Sequence, residues 1–446
     1  MTRYKTCLGF IVTAAACLVG CASVRERQAF EQIAATHGAT RLAGEKAVSR
    51  EDLPPLDANA TLADYLLYAA LNNPGVQAAF HRWKAALEKV PQARALPDPQ
   101  FTYGYFIREV EMQQKVALAQ MFPWYGKLKL GADVALDEAE IERHRFEAAL
   151  NNLRFEVKDA YYEYYYLGRA IGVTEENMDL VRQLEAVVRA KLPVAAAGHP
   201  DIIKAQVELG KLEDELLTLR DFRGPVVARF NAGLNRPADA PLPAASTIPI
   251  QKADWADGRL ETRLKESNPE LKGLEATVTR ERTAIRLARQ DFYPDLMAGL
   301  EFETERAGIP GAGDSDMDPV MAMLSVNVPV WWAKYRAAVR EAEARCEAGQ
   351  KERLNKENEL VSRLAMVLYK CRDAERKITL YRDTLLPLAE ESLNVAQRGF
   401  ASGNTDFLDM IDAERVLLEF RLSHERAVVD RAQRLAELEM LIGQPL

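Results

Sequence analysis

The chain has 446 residues, 28% of them charged, a formal net charge of −8 and five cysteines. That length allows a large core or two domains, and the charge density excludes a multi-helix membrane protein. The acidic balance argues against nucleic acid as a partner. Cys346 and Cys371 fall on one predicted continuous helix, about 37 Å apart at 1.5 Å per residue, so they cannot pair there.

The first residues form a targeting segment. Arg3 and Lys5 supply a positive end and Leu8–Leu18 an apolar run too short to span a membrane as a helix. Leu18-Val19-Gly20-Cys21 looks like a bacterial lipobox, which implies cleavage after residue 20 and lipidation of Cys21. Ala22 rather than Asp follows, which in lipoproteins implies onward export to the outer membrane. Residues 21–60 read as a lipid-anchored arm with little regular structure.

Residues 61–234 make a first unit. Thr61–Ala95 is helical in pattern, restarted at Asn72-Asn-Pro-Gly75 and stopped by Leu96-Pro-Asp-Pro99. Period-two alternation then predicts strands over about 101–108 and 115–122, ended by Pro123-Trp-Tyr-Gly126. A very long helix follows over about Lys127–Lys191. Phe146, Leu150, Leu153, Val157, Tyr161, Tyr164 and Leu167 step by threes and fours, the seam of a coiled coil. Pro193 and Gly198-His-Pro200 break it, and a returning helix starts at Asp201.

Residues 235–257, with four prolines, read as a linker, and residues 258–446 repeat the plan. Asn268-Pro269 answers Asn73-Pro74, and Tyr293-Pro-Asp295 answers Leu96-Pro-Asp98. Strands over about 296–305 and 320–328 answer the first strand pair. Val328-Pro-Val-Trp-Trp-Ala-Lys334 answers Phe122-Pro-Trp-Tyr-Gly-Lys127, and a second long helix spans about Lys334–Arg398. Pro387 kinks that helix without ending it. Phe400-Ala-Ser-Gly403 turns the chain, and Thr405–Ile442 returns.

The strands have the length that crosses a bilayer in an outer-membrane barrel, about nine to eleven residues. An open edge in lipid leaves backbone groups unpaired, so spanning barrels must close. The smallest common closed barrel has about eight strands. Four strands per chain therefore demand at least two copies, and both a dimer and a trimer remain possible on this count. Glu301, Glu303 and Glu305 share the polar side of the third strand and would line a barrel lumen, or a water-facing strand side.

No catalytic constellation stands out. There is no phosphate loop, and the five histidines are scattered with no His-x-x-x-His, so neither a nucleotide nor a metal cofactor is expected. Asp314, Asp316 and Asp318 suggest a calcium loop, but Pro319 stands where the loop needs Gly. Tyr161, Tyr162, Tyr164, Tyr165 and Tyr166 cover most of a helix circumference and read as packing between helices.

Together the paired Asn-Pro corners, the two strand pairs, Val328-Pro-Val-Trp-Trp and Phe400-Ala-Ser-Gly403-Asn-Thr-Asp406 resemble the TolC-like outer-membrane efflux family. The lipidated members that work with resistance-nodulation-division pumps are the most similar, and the resemblance covers about Thr61–Ile442. It implies a mainly helical fold with membrane β: duplicated coiled-coil helices forming an α-helical barrel, and four strands per chain in a trimeric twelve-stranded β-barrel. It also implies a homotrimer in the outer membrane of a Gram-negative bacterium, a periplasmic adaptor and an inner-membrane pump as partners, and no enzymatic activity. Small molecules or metal ions would leave through it.

The family closes its periplasmic mouth with acidic rings just after the second tip turn. Asp406 and Asp409 occupy that place, with Asp412 three further on, and Asp406 also stands where a helix cap is expected. Gly198, Gly403 and Phe400 mark the tip turns. The first tip, Leu192–Gly198, lacks the aromatic that Phe400 provides. The same architecture also serves a type I secretion duct for polypeptides. A lipid-anchored periplasmic scaffold would explain the heptads and Cys21 but not the alternating strands.

Overall fold

The computed structural model describes residues 24–41, 56–57, 60–107, 112–191, 199–243, 245, 248, 257–305 and 320–445. Cys21, Gly198 and the Asp314–Asp318 run lie outside these residues, as does the side chain of Glu305. Helices α1 (Val24–Arg41), α2 (Leu62–Asn72), α3 (Pro74–Leu87) and α4 (Lys89–Arg94) precede strands β1 (Gln100–Tyr105) and β2 (Met112–Phe122). Helices α5 (Lys127–Lys191), α6 (His199–Gly233), α7 (Asp257–Ser267) and α8 (Pro269–Gln290) follow. Strands β3 (Leu296–Glu305) and β4 (Val320–Val326) come next, then α9 (Trp332–Leu380), a π-helical turn (Tyr381–Leu385), α10 (Leu386–Ser402) and α11 (Phe407–Ile442). The chain divides into two compact units. One comprises the chain to Thr36, Phe80–Arg145 and Lys272–Asn355; the other His37–Ala79, Phe146–Leu271 and Lys356–Leu446.

The first unit carries the sheet. Its order is β1-β2-β3-β4, all antiparallel, so β1 and β4 are its edges. The strand limits differ slightly from the alternation pattern. β1 stops at Tyr105, β2 begins at Met112 instead of Lys115, and β4 ends at Val326, before Val328. The register Ala117↔Glu301↔Met321 and Leu118↔Leu300↔Ala322 fixes which residues share a face. One face holds Phe101, Tyr103, Val116, Leu118, Phe302, Val320 and Leu324. Most of these large apolar groups are exposed, Leu324 at 73%.

Asp295 ties the strand ends together. Its carboxylate accepts from the Trp124 backbone N–H (2.8 Å) and from Lys127 Nζ (2.9 Å). Its own N–H donates to Asn327 Oδ1, and the Asn327 N–H donates to its carbonyl (3.2 Å). One residue thus clamps the segments that follow β2, precede β3 and follow β4. That is a physical reason for the Pro-Asp corner at this position.

The expectation of an arm with little regular structure is corrected by α1, an 18-residue helix. Ala29 and Ile33 are buried, Glu26 pairs with Arg94, and Arg25 donates to Asp137 (2.8 Å). Asp137, itself buried, also accepts from Thr283 Oγ1 (2.9 Å). The apolar positions of α1 are few, which hid it from a periodicity reading.

In the second unit the two Asn-Pro corners do the same work. Asn73 Oδ1 accepts from the N–H groups of Gly75 (2.9 Å) and Val76 (3.2 Å), while its Nδ2 donates to the Gly233 carbonyl (3.1 Å). Asn268 Oδ1 accepts from the Leu271 N–H (3.0 Å), while its Nδ2 donates to the Leu441 carbonyl (2.7 Å). Each amide caps a helix that starts with proline and anchors it to the C-terminal end of a returning helix. Both ends of each amide bond to orphan backbone groups, which explains Asn rather than Asp.

Behind the first corner Tyr65 packs on Tyr161 (5.9 Å between centroids) and Phe230 (5.0 Å). Tyr164 donates to the Leu242 carbonyl (3.0 Å), accepts from Arg223 (2.8 Å) and lies beneath its guanidinium. The tyrosine run is therefore packing, as its wrap around the helix implied. Leu242 is buried and Asn231 donates to the Ala238 (3.3 Å) and Ala240 (2.8 Å) carbonyls, so the start of the proline-rich stretch is docked. A cluster of Leu260, Leu264, Leu364, Leu368, Cys371, Leu438 and Ile442 surrounds the second corner. The helix that carries Pro387 continues through it. Pro387 has no N–H for residue 383, and the preceding turn widens, with the Leu386 N–H donating to the Tyr381 carbonyl.

Candidate functional site

Two places gather the residues singled out by the sequence: the turn between α10 and α11, in the second unit, and the less apolar face of the sheet, in the first.

At the turn, α10 ends at Gly403, whose φ of 81° is the left-handed conformation that a side chain disfavours. Gly403 N–H donates to the Phe400 carbonyl (3.3 Å), and Asn404 N–H to the Gly399 carbonyl (2.8 Å). Asp406 is extended (φ −75°, ψ 154°) and accepts from the Phe407 N–H (2.7 Å), so it caps α11. Phe400 and Phe407 are buried, their rings 5.8 Å apart. Around them pack Val181, Leu184, Val188, Leu393, Met410 and Ile411.

Gly399 was missed in the sequence and is as constrained as Gly403. A Cβ there would fall 2.9 Å from Thr405 Cβ and closer still to Thr405 Oγ1. The hairpin is tight because Thr405 lies directly over a glycine four residues before the left-handed one. The spacing Gly399-x3-Gly403-x-Thr405-Asp406 was the available signal.

Asp406, Asp409 and Asp412 all remain exposed. Asp412 accepts from Arg415 (3.1 Å). Asp409, in the first turn of α11, also sits favourably in the helix dipole. At the other tip Asp201 lies in the first turn of α6, 3.4 Å from Lys204 Nζ.

The second face of the sheet carries Thr102 and Gly104 on β1, and Lys115, Ala117 and Ala119 on β2. It continues with Gly299, Glu301 and Glu303 on β3, and Met321, Met323 and Ser325 on β4. Glu301 is 2% exposed and pairs with Lys115. Glu303 lies directly opposite Lys115 and is half-buried. A carboxylate pair beside one lysine thus marks this face as the polar one. Among the described residues no group of three or more His, Cys, Asp or Glu is arranged to hold a metal ion. None of the described helices is long and apolar enough to cross a membrane.

A sheet with one exposed apolar face, one polar face and, among the described residues, two unpaired edges has the form that the wall of a membrane barrel requires. The sequence comparisons agree. Residues 260–444 match the family described as "Outer membrane efflux protein". The cobalt-zinc-cadmium resistance protein CzcC of Cupriavidus metallidurans is 21% identical over 405 residues, 89% of this chain and 92% of that protein. The fold matches the outer membrane protein VceC of Vibrio cholerae, with TM-score 0.72, 15% identity, 86% of this chain and 96% of that one. It also matches the Neisseria gonorrhoeae MtrE outer membrane channel in its open state, with TM-score 0.70, 17% identity and coverage of 86% and 89%. The chain thus has the fold of these outer membrane channels, and its residues 260–444 carry the match to the outer membrane efflux family.

Proposed function

We propose that this protein is the passive exit duct of a tripartite efflux system, a homotrimer that docks with a periplasmic adaptor and an inner-membrane pump. The observation that carries the reading is the sheet. Its two edges, β1 and β4, are open, and an apolar face of Phe101, Leu118, Phe302 and Leu324 is left exposed. In a bilayer the face meets lipid and the edges must pair with further copies. Three copies give a twelve-stranded barrel, with Lys115, Glu301 and Glu303 towards the lumen. Trp124 stacked on Tyr293 (5.4 Å) and the exposed Tyr125, Trp331 and Trp332 all flank one end of the strands. They suit an interfacial aromatic girdle.

The cargo best supported is a divalent transition-metal cation, because the relative CzcC is a cobalt-zinc-cadmium resistance protein. Asp406 and Asp409 then form threefold carboxylate rings at the periplasmic mouth, which favour cations and repel anions. Cys21 carries the lipid. Metabolic labelling with palmitate should mark the wild type and spare Cys21→Ser. That variant should remain in the outer-membrane fraction, whereas a scaffold held only by its lipid would become soluble. Single-channel recording in a planar bilayer tests the rings. Asp406→Ala with Asp409→Ala should raise conductance and lower cation preference, and unchanged currents refute the gate assignment.

A further inference from the structure

Behind the tip turn lies a group that the duct itself does not require. Glu414 is 0% exposed, and neither of its carboxyl oxygens has a hydrogen-bond partner among the described residues. The same is true of Thr174 Oγ1 and Asn177 Nδ2, on neighbouring turns of one face of α5. Apolar side chains surround this trio. Met410, Ile411, Leu417 and Leu418 of α11 and Val173 and Val181 of α5 belong to the cluster that also buries Phe400 and Phe407. A fully buried carboxyl five residues from Asp409 is expensive to keep in an apolar cluster, and an ionised one far more so.

The charged neighbours do not neutralise it. From α6, Glu208 approaches but is paired with Arg415, and Lys211 reaches Glu208 at 3.6 Å. Arg415, next to Glu414 on α11, also donates to Asp412 (3.1 Å). It is already shared between two carboxylates, and it holds Glu208 below the usual carboxylate range. From α10 the cluster receives Ala389, Leu393 and Ala396, and Glu390 of that helix faces Arg421 (3.5 Å). From α5 the uncharged Asn177 amide faces the carboxyl, with Thr174 buried one turn before it.

We infer that Glu414, with Thr174 and Asn177, forms a buried proton-binding site, and that losing this proton loosens the α5–α11 packing which holds Phe400 and Phe407. Burial pushes the Glu414 carboxyl up to about 7, with Glu208 reinforcing the shift and the Asn177 amide and Arg415 opposing it. The folded chain therefore binds this proton more tightly than the unfolded chain, whose carboxyl titrates near 4.5. The stabilisation is complete below that value and is lost as pH rises through about 7. A carboxylate created inside this cluster draws in water, and the nearest packed element to yield is the start of α11. Mildly acidic conditions then hold the tip closed and alkaline conditions release it. The link to the pore rests on the gate assignment above.

The test uses the full-length trimer in detergent and in planar bilayers. Difference infrared spectroscopy of wild type against Glu414→Gln should show one protonated carboxyl lost with a midpoint near pH 7. The wild-type melting temperature should fall between about pH 5 and about pH 8, and the slope should flatten in Glu414→Gln, whose amide stays neutral. Open probability should rise severalfold over the same window in wild type only. An infrared midpoint at the ordinary carboxylate value overturns the site even if the variant folds poorly, because it is read from the wild type. If the carboxyl titrates near 7 and Asp409→Ala alters the currents while pH does not, the link from site to tip is overturned and the gate assignment stands.

Discussion

The tightest geometry in the tip hairpin gives the sharpest prediction. Gly399→Ala places a Cβ 2.9 Å from Thr405 Cβ, and still closer to its hydroxyl. The hydroxyl can rotate away, but Thr405 Cβ cannot, so the backbone between Phe400 and Asp406 must shift by about an ångström. Overpacking of this kind costs about 1–3 kcal/mol. The cost is local: the buried Phe400–Phe407 contact on the two sides of the turn is strained, and α10 frays at its last turn. Arg398, exposed one residue before Gly399, reports that fraying through trypsin. Where reclosing is faster than cleavage, the rate tracks the open population, so 1–3 kcal/mol becomes about a 5- to 150-fold acceleration. Thr405→Gly removes the clashing atoms, and the double variant Gly399→Ala with Thr405→Gly should be cleaved no faster than Thr405→Gly alone. Equal cleavage of wild type and Gly399→Ala would refute the reasoning. So would strictly additive effects in the double variant, because residues in contact must couple.

Three further outcomes follow from particular contacts. Asn268→Ala leaves a buried Leu441 carbonyl and the Leu271 N–H unpaired, and should destabilise by about 2–4 kcal/mol in denaturant titration. Asn73→Ala, at the half-buried counterpart, should cost less. Asp295→Ala removes the carboxylate links to the Trp124 N–H and Lys127 and so frees the segment after β2, while the backbone bonds to Asn327 remain. It should lower the melting temperature of the assembled protein, with Asp295→Asn in between because it still accepts from the Trp124 N–H. Cys371 is buried and its thiol is pushed up to about 12, mainly by desolvation and then by Glu375. It should resist maleimide in the folded protein and react fully after denaturation; modification of the native protein would place it outside the core.

What could be read from the residues was whatever repeats at a fixed interval. Alternation placed the four strands within a few residues, because a strand in a bilayer has two unlike solvents and must declare both. The step of threes and fours from Phe146 to Leu167 lies on one unbroken helix, α5, because a coiled-coil seam tolerates few exceptions. The doubled Asn-Pro corners stood out as words, while their purpose, one amide satisfying two orphan backbone groups, needed coordinates.

The residues that stayed hidden act singly and through the fold. Gly399 resembles any helical glycine until Thr405 is seen above it. Glu414 reads as one more acid on a charged helix, since Glu and Asp make up 66 residues here, until two other helices close over it. Helix α1 is held by ion pairs to Asp137 and Arg94 more than by an apolar stripe, so its sequence resembles a tether. Both tip residues gain their constraint from packing that no periodicity encodes. A mouth that must seal and yet release cannot be built from the repeating seam alone, because a perfect seam has one stable state. On the gate proposed above, the exceptions to the heptad, an unpartnered acid and a glycine under a threonine, are where a second state would become accessible.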